Sequence, residues 1–573
     1  MTTTGTQRPA FRVFVVALIA TLTVTAPPSG ASTASHPVNL FSSGPETRLS
    51  VPRMLRTRIA TASLTLATAP GPIDVAINLF DDTAVTVTLV RQPDDAAIVW
   101  TGAIPGRPGT SVLLVLSGGY IFGNVHLGTA GEYTIRDHGD GTVMIGQVDP
   151  HAIGAEAAPL SVPTSSAEVG AGDATEHAAM ARVANPTVDV MILWSVQVLH
   201  DKFGGDPAEG RAWATTRVAE LNTVFQASGV DATARLAFAG TADYDNGEDS
   251  SKSISGDLDN FTYLAGQNCG GGPCDPNGYL DTERAQRDLV GSDIAVLIVE
   301  DSNEFGIAWL NCRPSTDDPA PNAGGECLAD YAFAVVEFDA ADAHLTVAHE
   351  IGHLLGGSHD AANGGSDYAR GYRINPKFST VLAYECDPGV TAWDPSHCAP
   401  RVGVYSNPDV IWNGDSATPM GKPIGNPGAA DNASHFNLST DLVAGFRKLV
   451  KCDGRTATIL GTGAADVIDG TEDADVIVGF GGADVIDAKG GDDRVCAGNG
   501  NDDVLGGNGS DRLFGGRGSD TMSGGNKSDL LKGGPGNDTL DGGPGSADVL
   551  DAGKGSGDSC AAGETYRHCE LLL

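Results

Sequence analysis

The feature that most constrains this chain lies in its last quarter. Aspartates stand nine residues apart at Asp466, Asp475, Asp484, Asp493, Asp502, Asp511, Asp520, Asp529 and Asp538. Two residues after each comes an apolar side chain: Ile468, Ile477, Ile486, Val495, Val504, Leu513, Met522, Leu531 and Leu540. The fullest copies read GGNGSDRLF, GGRGSDTMS and GGPGNDTLD. Glycine supplies tight turns and carbonyls that can approach an ion, Asp supplies a hard oxygen, and the apolar residue points inward from a short strand. This phase predicts a parallel β-roll around calcium, whereas a disordered Gly/Asp-rich tail would keep no phase at all. Two nonapeptides complete a coil, so Asp502 and Asp520 should stack along one edge. The expected calcium ligands are Asp484, Asp493, Asp502, Asp511, Asp520, Asp529 and Asp538. Copies around Asp466 and Asp475 lack the full glycine pattern and read as weak sites or a cap. Asn526-Lys527 replaces the usual glycine before Asp529, which leaves open whether that turn forms. Without calcium the nineteen aspartates from Asp453 onward should repel one another, which couples folding to calcium binding.

A chain of 573 residues is too long for one core. Its 35 Lys+Arg against 73 Asp+Glu repel phosphate backbones, excluding nucleic acid as a natural partner and favouring cations. At the N-terminus Arg8 and Arg12 precede VFVVALIATLTV and then APPSGASTA, a secretory signal with cleavage expected near Ala31 or Ala34. That run is shorter than the roughly 18 residues of a membrane anchor. The expectation is a secreted, extracellular monomer with no integral membrane segment. Ten cysteines, none before Cys269, read as disulfides whose connectivity the sequence leaves open.

Residues 35–185 alternate short apolar runs such as VTVTLV and TSVLLVLSGG with turn signals, predicting an all-β region. From Ala152 to Asn185 the composition suits an exposed, cleavable linker. TVDVMILW then reads as a strand, EGRAWATTRVAELNTVFQAS as a helix and DIAVLIVE as another strand, which indicates an α/β core.

Within this core lies HEIGHLLGGSH. On a helix His349 and His353, four apart, project from one face and can reach one ion. Gly356 lets the chain leave by a left-handed turn that brings His359 to a third corner. Three neutral imidazoles leave zinc one open position, as hydrolysis requires. Glu350 sits beside the metal without competing as a ligand, so it can act as general base toward a water the metal activates and return the proton to the leaving amine. Isolated histidines on an apolar helix are ordinarily core or surface residues, but this joint pattern points to a metal.

HEIGHLLGGSHD resembles the metzincin zinc signature, and Asp360 after the third histidine makes it similar to the reprolysin or adamalysin branch. The resemblance continues through RGYRINPKFSTVLAYECD, RVGVYSNPDV and ADNASHFNLS, covering about residues 186–450. It implies an upper twisted sheet with helices, an active-site helix ending at the glycine, an irregular lower part, and endopeptidase activity on polypeptides paired with an edge strand above the zinc. Leu382 stands where metzincins carry a methionine beneath the zinc, a supporting role that a leucine of similar volume can fill. Tyr384 matches a position from which some metzincins extend a phenol toward the metal or oxyanion, or it packs in the turn. Asp360 is expected to brace its loop. The nonapeptides resemble the RTX, hemolysin-type repeats. Serralysins share the combination, but an N-terminal export signal and Asp360 fit a reprolysin-like enzyme better.

The resulting expectation is a multidomain chain. It comprises a signal peptide (1–34), a β-rich propeptide and linker (35–185), an α/β reprolysin-like zinc metallopeptidase domain (186–451), and a parallel β-roll with a C-terminal cap (452–573). The propeptide lacks cysteine, so inhibition must use another group, such as His177, or occlusion of the cleft; a permanent binding or secretion-chaperone domain is the rival. Two other readings of the whole compete: a catalytically impaired, calcium-dependent binding or surface protein, supported by Leu382 alone, and a pore-forming toxin, for which apolar segments of membrane length are missing.

Overall fold

The computed structural model describes residues 38–572, except 43–53, 64–70, 151–158, 162–184, 245–253, 263–279, 313–326 and shorter loop stretches. The proposed signal, His177 and the pair Cys269 and Cys274 lie outside the described residues. Among the described residues no helix is long and apolar enough to cross a membrane.

The N-terminal region is one nine-stranded sheet, antiparallel from Ile73–Phe80 through to Thr142–Val148. Met54–Thr61 pairs on the far side of Thr142–Val148, and Val38–Asn39 runs parallel to Ile73–Phe80. A bridge between Phe41 and Ala62 brings the two edges toward each other. Strand alternation sends Val75, Ile77, Leu79, Trp100, Leu114, Val125, Ile135 and Ile145 into one core. The all-β expectation holds here.

The central region is built on a six-stranded sheet in the order Leu160–Ser161, Gly306–Leu310, Phe333–Glu337, Ile294–Val299, Thr187–Trp194, Thr233–Thr241. Ile294–Val299 is buried along its whole length, the pattern of a parallel strand covered on both faces. Gly306–Leu310 is antiparallel to its neighbour Phe333–Glu337. The crossover helix Pro207–Ser228 starts at Asp206, whose side chain accepts from the Ala208 amide, and stops at Gly229, in the left-handed conformation with φ 71°. Buried residues run round its whole circumference because it is covered twice. One side packs on the central sheet, and from the other Ala219 meets Val99, Leu113 and Val115 of the N-terminal sheet.

Polar contacts join the same two regions. Arg136 Nε pairs with Asp342 at 2.5 Å, Trp213 Nε1 donates to Asp342 at 2.9 Å, and Asn124 donates to Glu220. Below the sheet the chain becomes irregular, with short pairs such as Arg373–Ile374 with Phe378–Ser379, and closes on helix Asn432–Val443.

The C-terminal region forms two seven-stranded parallel sheets. Neighbouring strands are offset by two nonapeptides, as in Ile468 with Ile486 and Val504 with Met522. The apolar row from Ile468 to Leu540 is continued by Leu550 and Cys560 and fills the interior. Lys527 occupies the glycine position at φ 82°, so the turn before Asp529 forms despite the side chain. Disulfides join Cys312 to Cys327, Cys386 to Cys398, Cys452 to Cys496 and Cys560 to Cys569.

Candidate active site

Helix Thr346–Leu354 carries His349, Glu350 and His353 into the interior, every residue of it buried. Gly356 takes φ 95°, and the left-handed turn that follows delivers His359 to the other two histidines. A Cβ at Gly356 would overlap the Cys312 carbonyl and the His435 ring, so glycine is needed for space as well as for conformation. His435 Nε2 itself donates to the Cys312 carbonyl at 2.8 Å, and this brace around the turn carries no signal in the sequence.

The three Nε2 atoms of His349, His353 and His359 form a triangle with sides of 3.1 Å. A point roughly 2 Å from all three, the zinc–imidazole distance, exists just off that triangle. His349 Nδ1 donates to the Val381 carbonyl at 2.7 Å and His353 Nδ1 to the Gly357 carbonyl at 2.7 Å. Those bonds fix the tautomer and turn the Nε2 lone pairs of both rings to the centre, where a single cation can accept them together. Burial lowers all three imidazole pKa values, that of His353 to about 4, so the rings are neutral, as ligands must be. The residues therefore fit zinc.

Glu350 is 1% exposed and lies against the edge strand, where a Cβ on Gly306 would stand 2.5 Å from its Oε1. Leu382 is fully buried beneath the helix, its methyl groups 3.1 and 3.2 Å from where a Cβ on Gly352 would be. Two glycines, Gly352 and Gly357, make room for it. The Tyr384 ring lies against His359, tilted by 46° with centroids 4.2 Å apart. Tyr405 donates from its hydroxyl to the Ala348 carbonyl at 2.5 Å, locking RVGVYSNPDV to the helix. Sequence spacing could find the histidines and Glu350. It could not find the carbonyls of Val381 and Gly357, which act through backbone atoms.

In the C-terminal sheets each expected calcium residue repeats one geometry. Asp502 Oδ1 accepts from the Asp484 amide at 2.9 Å, and Asp520 Oδ1 accepts from the Asp502 amide at 3.0 Å. Among the described residues the Oδ2 atoms of Asp484, Asp493, Asp502, Asp511, Asp520, Asp529 and Asp538 are buried with no hydrogen-bond partner. Seven buried, half-used carboxylates call for cations, and hard oxygens with glycine carbonyls fit calcium. Asp475 differs: its Oδ2 accepts from the amide and hydroxyl of Thr471, so it caps the array. Asp548 and Asp558 continue the two rows, accepting from the amides of Asp529 and Asp538. A strict period of nine misses them because each row has gained residues by that point.

Residues 186–394 match the model of metallo-peptidase family M12, and four copies of the RTX calcium-binding nonapeptide repeat match within residues 460–557. A peptidyl-Asp metalloendopeptidase of Xanthomonas campestris pv. campestris is 28% identical over 384 residues, 63% of this chain and 80% of that protein. Two peptidyl-Asp metalloendopeptidases of Stenotrophomonas maltophilia, from strains R551-3 and K279a, are 26% and 27% identical, each over 62% of this chain and 75% of its own length. The chain is a zinc metallopeptidase, with a family M12 domain at residues 186–394 followed by RTX calcium-binding repeats.

Proposed function

We propose that the protein is a secreted zinc endopeptidase that cuts polypeptides at aspartyl residues. The observation that carries this is the equilateral Nε2 triangle with the Glu350 carboxylate buried beside it, facing the edge strand. His349, His353 and His359 would hold zinc, which supplies a Lewis acid and makes water nucleophilic at neutral pH. Glu350 would take the proton from the attacking water and return it to the leaving amine. An extended substrate pairs with the edge strand Gly306–Leu310. Tyr384, whose ring lies against that of His359, would donate toward the developing oxyanion. The preference for aspartate follows from the names of the three relatives.

The N-terminal sheet is read as a propeptide. Leu160–Ser161, in the proposed linker, pairs parallel with Trp309 and Leu310 of the edge strand, which supports inhibition by occlusion where no cysteine is available. The C-terminal sheets are read as a calcium-filled β-roll that orders after export, with Asp484, Asp493, Asp502, Asp511, Asp520, Asp529 and Asp538 as ligands. The test is cleavage of an unfolded protein by the secreted form with zinc and calcium present, beside Glu350→Gln. Cutting by wild type alone supports the reading. Failure of both, even after the N-terminal region is removed, would leave a binding protein on a peptidase fold.

A further inference from the structure

We propose that one outer face of the C-terminal sheets, carrying Arg517, Lys532, Lys554 and Arg567, is a docking surface that holds acidic polypeptide substrates away from the zinc site. The proposal rests on the aspartyl endopeptidase reading above.

The two parallel sheets turn alternate residues outward, and their strands carry opposite charge. In the sheet that begins at Ile459–Leu460, the strands hold Arg494, Arg512, Arg517, Lys532, Lys554 and Arg567, with Asp551 as their sole acid. In the other sheet the strands hold Asp469, Asp487, Asp503 and Asp541 and no Lys or Arg. Register sets the cations in rows: Phe514, Lys532, Asp551 and Arg567 stand on successive strands, and Lys554 stands beside Pro535. Neighbouring strands are about 4.8 Å apart, so Lys532 and Arg567 are roughly 10 Å apart along the sheet. The half-buried side chains of Phe514, Leu530 and Val549 lie among them.

Arg494 and Arg512 are already engaged, their Nε atoms 3.6 and 2.5 Å from Asp453 Oδ2. Arg517, Lys532, Lys554 and Arg567 are exposed, and among the described residues none of the four forms an ion pair. Lys532 lies 5.4 Å from the centre of the Phe514 ring, and Asp551 is met by His568 at 2.7 Å. With 35 Lys+Arg against 73 Asp+Glu, most of this chain repels an acidic polypeptide, and this face can attract one. A substrate rich in aspartate brings the complementary charge. Attraction to a flat face needs no fixed register, which suits unfolded chains of varied sequence. Calcium bound to the buried aspartates would cancel their charge, leaving the face cationic. Leu460, at the start of the same sheet, packs against the central core, so a polypeptide held here is tethered to the peptidase region and its effective concentration there rises.

The experiment compares the secreted enzyme, with calcium and zinc, against a variant combining Arg517→Gln, Lys532→Gln, Lys554→Gln and Arg567→Gln. The substrates are an unfolded protein rich in Asp and Glu, and two short, otherwise uncharged peptides with Asp or Asn at the cleaved bond. In the variant, KM for the acidic protein should rise about tenfold with kcat unchanged, while kcat/KM on the Asp peptide stays at the wild-type value. Raising salt from about 0.05 to about 0.5 M should raise the wild-type KM for the acidic protein and leave that of the variant nearly flat. Equal KM values in the two enzymes overturn the docking surface, and a preference for the Asp peptide then leaves the aspartyl reading standing. No preference between the peptides sinks the aspartyl reading, whereas a KM difference on the acidic protein still upholds the face. Wild-type self-association in sedimentation that the variant lacks would assign the face to a second copy and overturn the proposal. Should the variant fail to fold with calcium, the wild-type salt series decides, because a KM that ignores salt overturns the proposal.

Discussion

The backbone amide of Tyr384 donates to Asp360 Oδ2 over 3.1 Å, tying the residue after the third histidine to the turn beneath the metal site. The bond makes His359 and Tyr384 parts of one rigid corner, and Asp360 is itself buried. Asp360→Ala leaves the three imidazoles in place but loosens that corner. Its zinc affinity should fall by about 10- to 100-fold, the usual loss when a group orienting a ligand is removed. Competition with a chromogenic chelator measures this, and an unchanged affinity would count against the brace.

Leu382 supplies a sharper test of how the helix is supported. It fills the space left by Gly352 and Gly357 and packs with Tyr405, so its volume matters more than its chemistry. Leu382→Met should change the stability of the peptidase region by less than about 1.5 kcal/mol. Leu382→Ala should lose about 2–5 kcal/mol through the cavity it leaves. Chemical denaturation followed by tryptophan fluorescence separates the two, and equal losses would refute the packing account.

Gly306 is the position at which the edge strand yields to chemistry. Its missing Cβ is what lets Glu350 lie against the strand. Gly306→Ala should displace the carboxylate and reduce kcat at least tenfold while zinc content stays at one per chain. Full activity in that variant would mean that Glu350 works from elsewhere.

Much of this was legible in the sequence, and the reason is local. His349 and His353 share a helix face, Gly356 takes a left-handed turn that leaves no room for a Cβ, and the nonapeptide phase fixes which atoms stack. What stayed hidden depends on residues far apart in the chain. Asn124 and Glu220 meet across two regions, His435 braces a turn nearly eighty residues earlier, and Arg401 donates to the Ala383 carbonyl eighteen residues before it. No period or motif encodes such contacts. Even the aspartate rows escaped at Asp548 and Asp558, where the spacing drifts although the geometry does not.

Removal of calcium should act on the C-terminal sheets before anything else. The seven buried Oδ2 atoms would be left beside the glycine turns with no counter-charge. Chelation should abolish amide-exchange protection across Val485–Asp541 while strand Ile294–Val299 stays protected. Asp511→Ala, which removes one of these carboxylates, should raise the calcium concentration needed to restore protection. Protection that persists in excess chelator would show that the sheets stand without the ion.

Attachment of the N-terminal sheet should depend on pH. Burial pushes Glu132 up to about 7, with repulsion from Glu220 adding to the effect. The His126 pKa is raised because Glu132, 3.4 Å away, and Glu220, 3.9 Å away, outweigh the burial that opposes its charge. Glu209, in the same contact region, is pushed up to about 7 by burial together with Asp137 and Asp206. All three shifts have one sign: the docked state holds protons that the separated, solvated groups release. Their contribution is complete below the ordinary carboxylate and histidine values and is lost as pH rises through about 7 and above. With the linker cut, the N-terminal fragment should bind the remainder at least about tenfold more tightly at pH 6 than at pH 8.5. Sedimentation of the nicked protein at the two pH values measures this, and tighter association at pH 8.5 would reverse the sign and remove the buried proton from the account.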